Sequence, residues 1–341
     1  MRIGLCFDFP QADGGAGFEA ALRLGLDQVP DVPGPVEILR EVAPGLPRGS
    51  VAELVAGWRA LCDAGVDLVV GPSISDNCVI ARDLADEDRL PAVNYSGGER
   101  TRSGWMFHYQ IGSLEEEPPV LVRRLVERGL RRAAVIHDAS IVGDRYFECL
   151  TWAAAAQGVA LTATVAIDPT ADDVRDAVAT LRISEPDALV YLGLGAASHA
   201  VALALADAAW DVPVVANSAL MFGYARPDWR DAWRGWEYLD TLADDNRVRA
   251  ALAARDRRAA AGPIGCAAYD LGRLVGEAAA RADRVDRAGL RDGLERVKQL
   301  PAASGRDGTL MGFGVWDHAA LKGEYLVLRG WRDGHSVQVG D

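Results

Sequence analysis

Short β-branched runs and apolar residues at helical spacing take turns along most of the chain, and this alternation limits the fold more than any other feature. Strand-like runs occupy residues 3–7, 36–39, 68–70, 91–93, 105–110, 133–137, 160–166, 188–193 and 212–216. Helical patterns separate them, among them 143–157, 171–182 and 196–209, and two more follow at 245–260 and 264–281. Strands that alternate with helices in this way build parallel sheets through right-handed crossovers. Two helix starts are explicit. Ser50-Val51-Ala52-Glu53 is a capping box leading into Leu54, Trp58 and Leu61, and Thr170 precedes Ala171-Asp172-Asp173. A last strand is expected at 324–328. The reading is an α/β protein.

The stretch at 67–99 is the most informative. Leu68-Val69-Val70 ends on Gly71, as a buried strand does. Ser73, Ser75, Asp76 and Asn77 follow, and each of the last three can cap the helix that carries Val79, Ile80 and Leu84. Pro91-Ala92-Val93 opens a second strand that stops at Asn94-Tyr95-Ser96-Gly97-Gly98. Both polar loops then sit at the carboxyl ends of parallel strands, the edge where open α/β sheets bind ligands. Amide N–H groups at a helix start, with serine hydroxyls beside them, suit a carboxylate or another acceptor-rich small molecule. Ordinary βα turns use the same residue types, so the pattern alone leaves both readings open.

Composition narrows the function. At 341 residues the chain is long enough for about two domains with real cores. A net charge of −13 argues against nucleic acid or anionic membrane as partner. Every apolar run falls far short of the roughly 20 residues a spanning helix needs. Arg2-Ile3-Gly4-Leu5 enters the first strand directly, with no signal peptide. As written this implies a cytoplasmic protein, and a periplasmic or cell-surface one if an export signal was trimmed. Cys6, Cys62, Cys78, Cys149 and Cys266 are scattered, form no metal spacing and read as buried free thiols. The five histidines are equally dispersed, so no metal site is expected.

Catalytic patterns are wanting. There is no G-x-S-x-G elbow and no P-loop lysine. Gly193-Leu194-Gly195-Ala196-Ala197-Ser198 imitates a dinucleotide fingerprint, but Ser198 replaces the third glycine and the string lies mid-chain. A dinucleotide-dependent enzyme is therefore the weakest of three readings, and no cofactor is expected. Residues 224–236, with Trp229, Trp233 and Trp236, read as rings packed under a long loop or between lobes rather than as a ligand cage.

Several strings together resemble the type I periplasmic solute-binding proteins, the branched-chain amino acid and amide-binding receptors of ABC transporters. They are Asp67-Leu68-Val69-Val70-Gly71 with Ser73 and Ser75, Leu90-Pro91-Ala92-Val93-Asn94 with Ser96, and Arg132-Ala133-Ala134-Val135-Ile136-His137-Asp138 with Gly143. Glu185-Pro186-Asp187-Ala188-Leu189-Val190-Tyr191 and Gly312-Phe313-Gly314-Val315-Trp316-Asp317 complete the set. The resemblance implies two Rossmann-like lobes with parallel sheets joined by three crossing strands, near 112–115, 238–242 and 320–325. Residues 1–113 with 242–320 would form the ligand-docking lobe, and 114–241 with 321–341 the closing lobe. It implies a ligand in the interlobe cleft, clamp closure read by an ABC permease, and no catalysis. By the same resemblance the first lobe holds a ligand carboxylate through Ser75, Ser96 and Gly98, with Ser73, Tyr95, Gly97 and Phe9 around them. The second lobe would offer Val142, Leu194 and Ser218, with Gly195 and Met221 adjacent. The family's amino acid receptors place aromatic groups and a glutamate there. With Ser218 in the place of the acid, an ammonium would lose its counter-charge, which is costly. An acid or amide with an apolar or aromatic body is the expected ligand. A cytoplasmic sensor of the amide-responsive type, acting on a regulatory protein partner, is the alternative.

Overall fold

A computed structural model describes residues 1–9 and 13–340. Pro10, Gln11 and Ala12, part of the expected exit loop of the first strand, lie outside the described residues. The chain divides into two compact units, Met1–Ile111 with Thr241–Tyr325, and Gly112–Asp240 with Leu326–Asp341. Its path therefore passes from one unit to the other three times.

The first passage through unit 1 runs β1 (Arg2–Phe7), α1 (Ala16–Leu26), β2 (Glu37–Val42), α2 (Val51–Asp63), β3 (Leu68–Val70), α3 (Ser75–Asp88), β4 (Ala92–Ser96) and β5 (Met106–Gln110). The strands form one parallel sheet in the order β2-β1-β3-β4-β5. Leu54, Trp58 and Leu61 from α2 pack with Cys6, Val69 and Ala81 against one face of it. Trp58 is fully buried, worth about 1.5–3 kcal/mol, and its indole N–H is satisfied by Asp88 at 2.9 Å. Half of the capping box forms: Ser50 Oγ accepts from Glu53 N–H at 3.2 Å, while the Glu53 carboxylate accepts the Ser50 hydroxyl at 2.8 Å and the Ser50 N–H goes to Pro44 O instead.

In unit 2 the order is α4 (Glu117–Glu127), β6 (Arg132–Asp138), α5 (Ile141–Gln157), β7 (Ala160–Ile167), α6 (Arg175–Arg182), β8 (Ala188–Leu192), α7 (Ser198–Asp207), β9 (Val214–Ala216), the short α8 (Phe222–Ala225) and β10 (Glu237–Asp240). Unit 1 resumes with α9 (Arg247–Arg255), α10 (Pro263–Arg281), α11 (Arg287–Arg296) and a small antiparallel sheet of β11 (Leu300–Pro301), β12 (Leu310–Met311) and β13 (Leu321–Lys322). β14 (Val327–Arg332) and β15 (His335–Gln338) return to unit 2 and pair antiparallel beside β10, completing the order β15-β14-β10-β9-β8-β6-β7. Both units are thus α/β, with five parallel strands in one sheet and a largely parallel seven-stranded sheet in the other.

Four expectations need correction. The helix start at Thr170 does not form, because Thr170 donates both its N–H and its hydroxyl to Asp168 in a local turn; α6 begins at Arg175. None of Ser75, Asp76 and Asn77 caps α3, which starts at Ser75 with Ile74 as N-cap. The strand expected at 324–328 begins at Val327, since Glu324 O accepts from Arg306 N–H in unit 1, and it is not the last, because β15 follows it. Residues 321–325 belong to unit 1, where Leu321 and Lys322 pair with β12. In the aromatic segment, Trp233 and Trp236 are buried in the unit 2 core with Trp331, and Trp229 is half-buried against it.

Candidate ligand-binding loops

In unit 1 the loops that follow β3 and β4 are joined at the carboxyl edge of the sheet. Ser75 Oγ accepts from Gly97 N–H at 3.3 Å, and Gly98 lies close enough that a Cβ there would meet Ser75 Oγ at 3.2 Å. Ser75, Gly97 and Gly98 are therefore brought together, with the amino end of α3 beside them.

The group that fixes this geometry is Asp8, which follows β1 directly. Its fully buried carboxylate accepts from Ser73 N–H at 2.8 Å, Ser73 Oγ–H at 2.7 Å, Ile74 N–H at 2.9 Å and Asn77 Nδ2–H at 2.8 Å. Burial pushes the carboxyl pKa up, against these four donors, which favour the charge. Ser73 is thereby committed inside the unit. So is Ser96, fully buried, whose hydroxyl donates to Asn94 Oδ1 at 2.9 Å and whose carbonyl receives His108 Nε2–H at 2.9 Å. His108 Nδ1 faces the Arg102 Nε–H, and burial with that charge holds the ring neutral, its pKa pushed down to about 3. Tyr95 is buried and stacked on Phe18 at 4.8 Å. Phe9 is half-buried under the Arg48 guanidinium.

Unit 2 repeats the device at the same edge of its own sheet. Asp138, the last residue of β6, accepts from Leu194 N–H at 2.6 Å and Tyr191 O–H at 3.3 Å. It thus holds the loop after the neighbouring strand β8, as Asp8 holds the loop after β3. Gly195 in that loop has φ +103°, and a Cβ there would lie 2.3 Å from Ala219 O, so no larger residue fits without movement. Asn217 closes the next junction, accepting from Gly193 N–H at 3.2 Å and donating to Gly193 O at 2.8 Å. Leu194, Ser218 and Met221 are half-buried along this edge, whereas Val142 is buried in the first turn of α5.

Ser218 has a carboxylate behind it after all. Glu117, fully buried at the start of α4, accepts from Ser218 N–H at 2.7 Å, Ser113 N–H at 2.6 Å and Tyr146 O–H at 3.1 Å. Burial pushes its pKa up to about 7 against those donors. Asp144, by contrast, is exposed and lies 3.9 Å from His137.

Sequence reasoning missed Asp8, Asn77, Glu117 and Asn217 as site-forming groups, and read Asp138 only as the end of a strand. Asp8 and Asp138 did carry a signal, a lone carboxylate directly after an apolar strand, but nothing local names the amides they bind 56 to 66 residues away. Among the described residues, no group of three His, Cys, Asp or Glu side chains is placed to hold a metal. No helix is long and apolar enough to cross a membrane, among the described residues.

Residues 10–321 match the sequence model of the family described as periplasmic binding protein. Among solved structures the chain is similar to a type 1 periplasmic binding protein from Bordetella pertussis Tohama I, with TM-score 0.83, 17% identity and 99% of each chain covered. It is similar to an ABC transporter substrate-binding protein from Desulfitobacterium hafniense in complex with Leu, with TM-score 0.80, 17% identity and 99% of each chain covered. A solute-binding protein of an ABC transporter from Rhodopseudomonas palustris, in complex with 4-hydroxybenzoate, gives TM-score 0.81 and 14% identity over 99% of this chain and 95% of that one. Curated protein sequences give no match. At such identities the likeness speaks to fold alone.

Proposed function

The chain belongs to the periplasmic binding protein family, and from that premise we propose that it binds a small acid or amide with an apolar or aromatic body, as the substrate-binding component of an ABC-type uptake system. Families of this kind bind and release; no bond is made or broken in the reading. The observation that carries it is the joined pair of loops at Ser75 and Gly97–Gly98, which sets hydroxyl and backbone donors around the amino end of α3. Such a cluster suits the acceptor oxygens of a carboxylate or amide. Unit 2 offers apolar surface suited to such a body through Leu194 and Met221, half-buried at the carboxyl edge of its sheet. Its two buried acids do not serve a ligand ammonium in this reading, since Glu117 and Asp138 each accept at least two internal hydrogen bonds.

Relatives solved with Leu and with 4-hydroxybenzoate bracket the choice. The internal commitment of both acids favours the second type. A thermal-shift screen of the full chain with benzoates, aliphatic acids, amides and amino acids tests it. Stabilisation by acids or amides and not by amino acids is expected; stabilisation by dinucleotides alone would overturn it.

A further inference from the structure

The carboxyl edge of the unit 2 sheet carries the loops described above. Its opposite edge, where β9 and β10 begin, holds a cavity of about 670 Å³. The cavity lies between the end of α4, the last turns of α7 with the loop into β9, and the segment that leads into β10. The sequence explains the room, because Ala202, Ala206 and Gly235 in its wall carry no more than a methyl group, and a Cβ at Gly235 would meet nothing within 4 Å. Leu205, Val212 and the indoles of Trp210 and Trp236 line it with apolar surface. Trp236 is fixed in the unit 2 core, and Trp210 is half-buried with its backbone N–H held by Leu205 O at 3.0 Å. The volume is that of a small-molecule site, roughly 300–1,000 Å³.

The arginines along this edge fall into two sets. Arg124 gives two N–H groups to Glu237, at 2.7 and 3.0 Å, and Arg230 is spent on the carbonyls of Gly223 and Gly334, at 2.6 and 2.7 Å. Arg128 reaches Glu237 only at 3.6 Å, on the oxygen that Arg124 already uses, and Arg234 makes no ion pair among the described residues. These last two are the arginines that line the cavity. Asp211, exposed, is the acid beside them, so the lining holds two cations and one anion in a chain of net charge −13. A smaller cavity of about 240 Å³ shares Arg234 and sets Arg230 and Arg332 against Asp231 and Asp333, again with one arginine in excess.

We propose that the larger cavity is a second ligand site, for a small carboxylate with an aromatic or apolar body. A guanidinium presents paired N–H groups that match the two oxygens of a carboxylate, and an indole face suits a flat ring beside it. Arg234 takes the carboxylate, Arg128 adds charge, and the body lies against Trp210, Leu205 and Val212. Both arginines are exposed, so solvent screens part of the attraction. Apolar contact then supplies much of the affinity, and the carboxylate supplies the selectivity. The site shares no residue with the loops at Ser75, Gly97 and Ser218, so it stands or falls apart from the function proposed above.

The test is nuclear magnetic resonance of the full chain, isotope-labelled at its tryptophan indole nitrogens and titrated with 2-naphthoate. The chain has nine tryptophans, and the signal lost in Trp210→Phe identifies Trp210. That signal should shift along a saturable curve. Arg234→Ala should weaken the binding it reports about three- to tenfold, and so should exchanging the probe for the uncharged 2-naphthamide. Affinity should also fall as salt is raised. The amide comparison uses the native chain and keeps the proposal falsifiable whatever the variants do. Ser75→Ala should leave the Trp210 curve where it is. A Trp210 signal that 2-naphthoate does not move would overturn the proposal. So would equal affinity for the naphthamide, an unchanged curve in Arg234→Ala, or a curve abolished by Ser75→Ala, which would place the binding at the unit 1 loops instead.

Discussion

Replacing Asp8 with asparagine probes the unit 1 site with almost no change in shape. One carboxylate oxygen accepts from Ser73 N–H and Ser73 Oγ–H, the other from Ile74 N–H and Asn77 Nδ2–H. An asparagine must turn its NH2 toward one of these pairs. The milder choice faces Ser73, whose hydroxyl can rotate to accept, and leaves Ser73 N–H as the single orphan. One buried unsatisfied donor costs about 1–3 kcal/mol. A value of about 2 kcal/mol lowers the melting temperature by roughly 4–8 °C for domains of this size. The assay is thermal and urea unfolding at pH 8, where the raised Asp8 carboxyl is best ionised. The loop that carries Ser75 should loosen as well, so affinity for the ligand should drop alongside stability. A variant within about 0.5 kcal/mol of the native protein, as for an ordinary surface change, would refute the claim that Asp8 organises the site.

The two serines should separate. Ser75→Ala removes a hydroxyl at the joined loops and should weaken binding about tenfold, at about 1.5 kcal/mol, with little change in melting. Ser96→Ala breaks a buried bond to Asn94 and should lower stability by about 1 kcal/mol, measured by urea unfolding without ligand. Stability should also fall as pH rises from about 5 to 7.5. Asp270, fully buried beneath Tyr109, Ala303 and Ser304, has its pKa raised to about 6, and Glu117 to about 7. Raised carboxyl pKa values mean the folded state binds these protons more tightly, so their contribution is full below the unfolded values and lost through the folded ones. Asp270→Asn should flatten the lower part of that profile; an unchanged slope would show that Asp270 titrates normally.

Alternation of strand and helix patterns was legible because the central strands are buried on both sides and written largely in apolar residues, as in Leu68–Val70 and Ala188–Leu192. The Ser50 cap was legible because its partner Glu53 lies only three residues away. Where the reading failed, a competing hydrogen bond decided the matter. Asp168 captured Thr170, and Asp8 took over the loop that Ser75, Asp76 and Asn77 were expected to cap. α11 escaped notice because Leu290 and Leu294 are its only buried large residues. β14 was misplaced because the buried Arg329 interrupts its apolar alternation, and its partner Ser336 belongs to the next strand. At the site, residue types at strand ends could be read, but not their state. Ser73, Ser75 and Ser96 look alike in sequence, and only long-range bonds distinguish the committed hydroxyls of Ser73 and Ser96 from Ser75, which meets the Gly97 amide.

Titration calorimetry of the full chain with a matched pair, leucine and 4-methylpentanoate, together with 4-hydroxybenzoate, tests the central claim most directly. The two aliphatic probes differ by the α-ammonium, for which the structure leaves no uncommitted buried acid at Ser218. At pH 8 the account predicts that at least one of the two acids binds, and that 4-methylpentanoate binds at least tenfold more tightly than leucine, a gap of about 1.4 kcal/mol. Leucine binding more tightly than its deaminated analogue would contradict it, and would mean that Glu117 or Asp138 serves the ammonium.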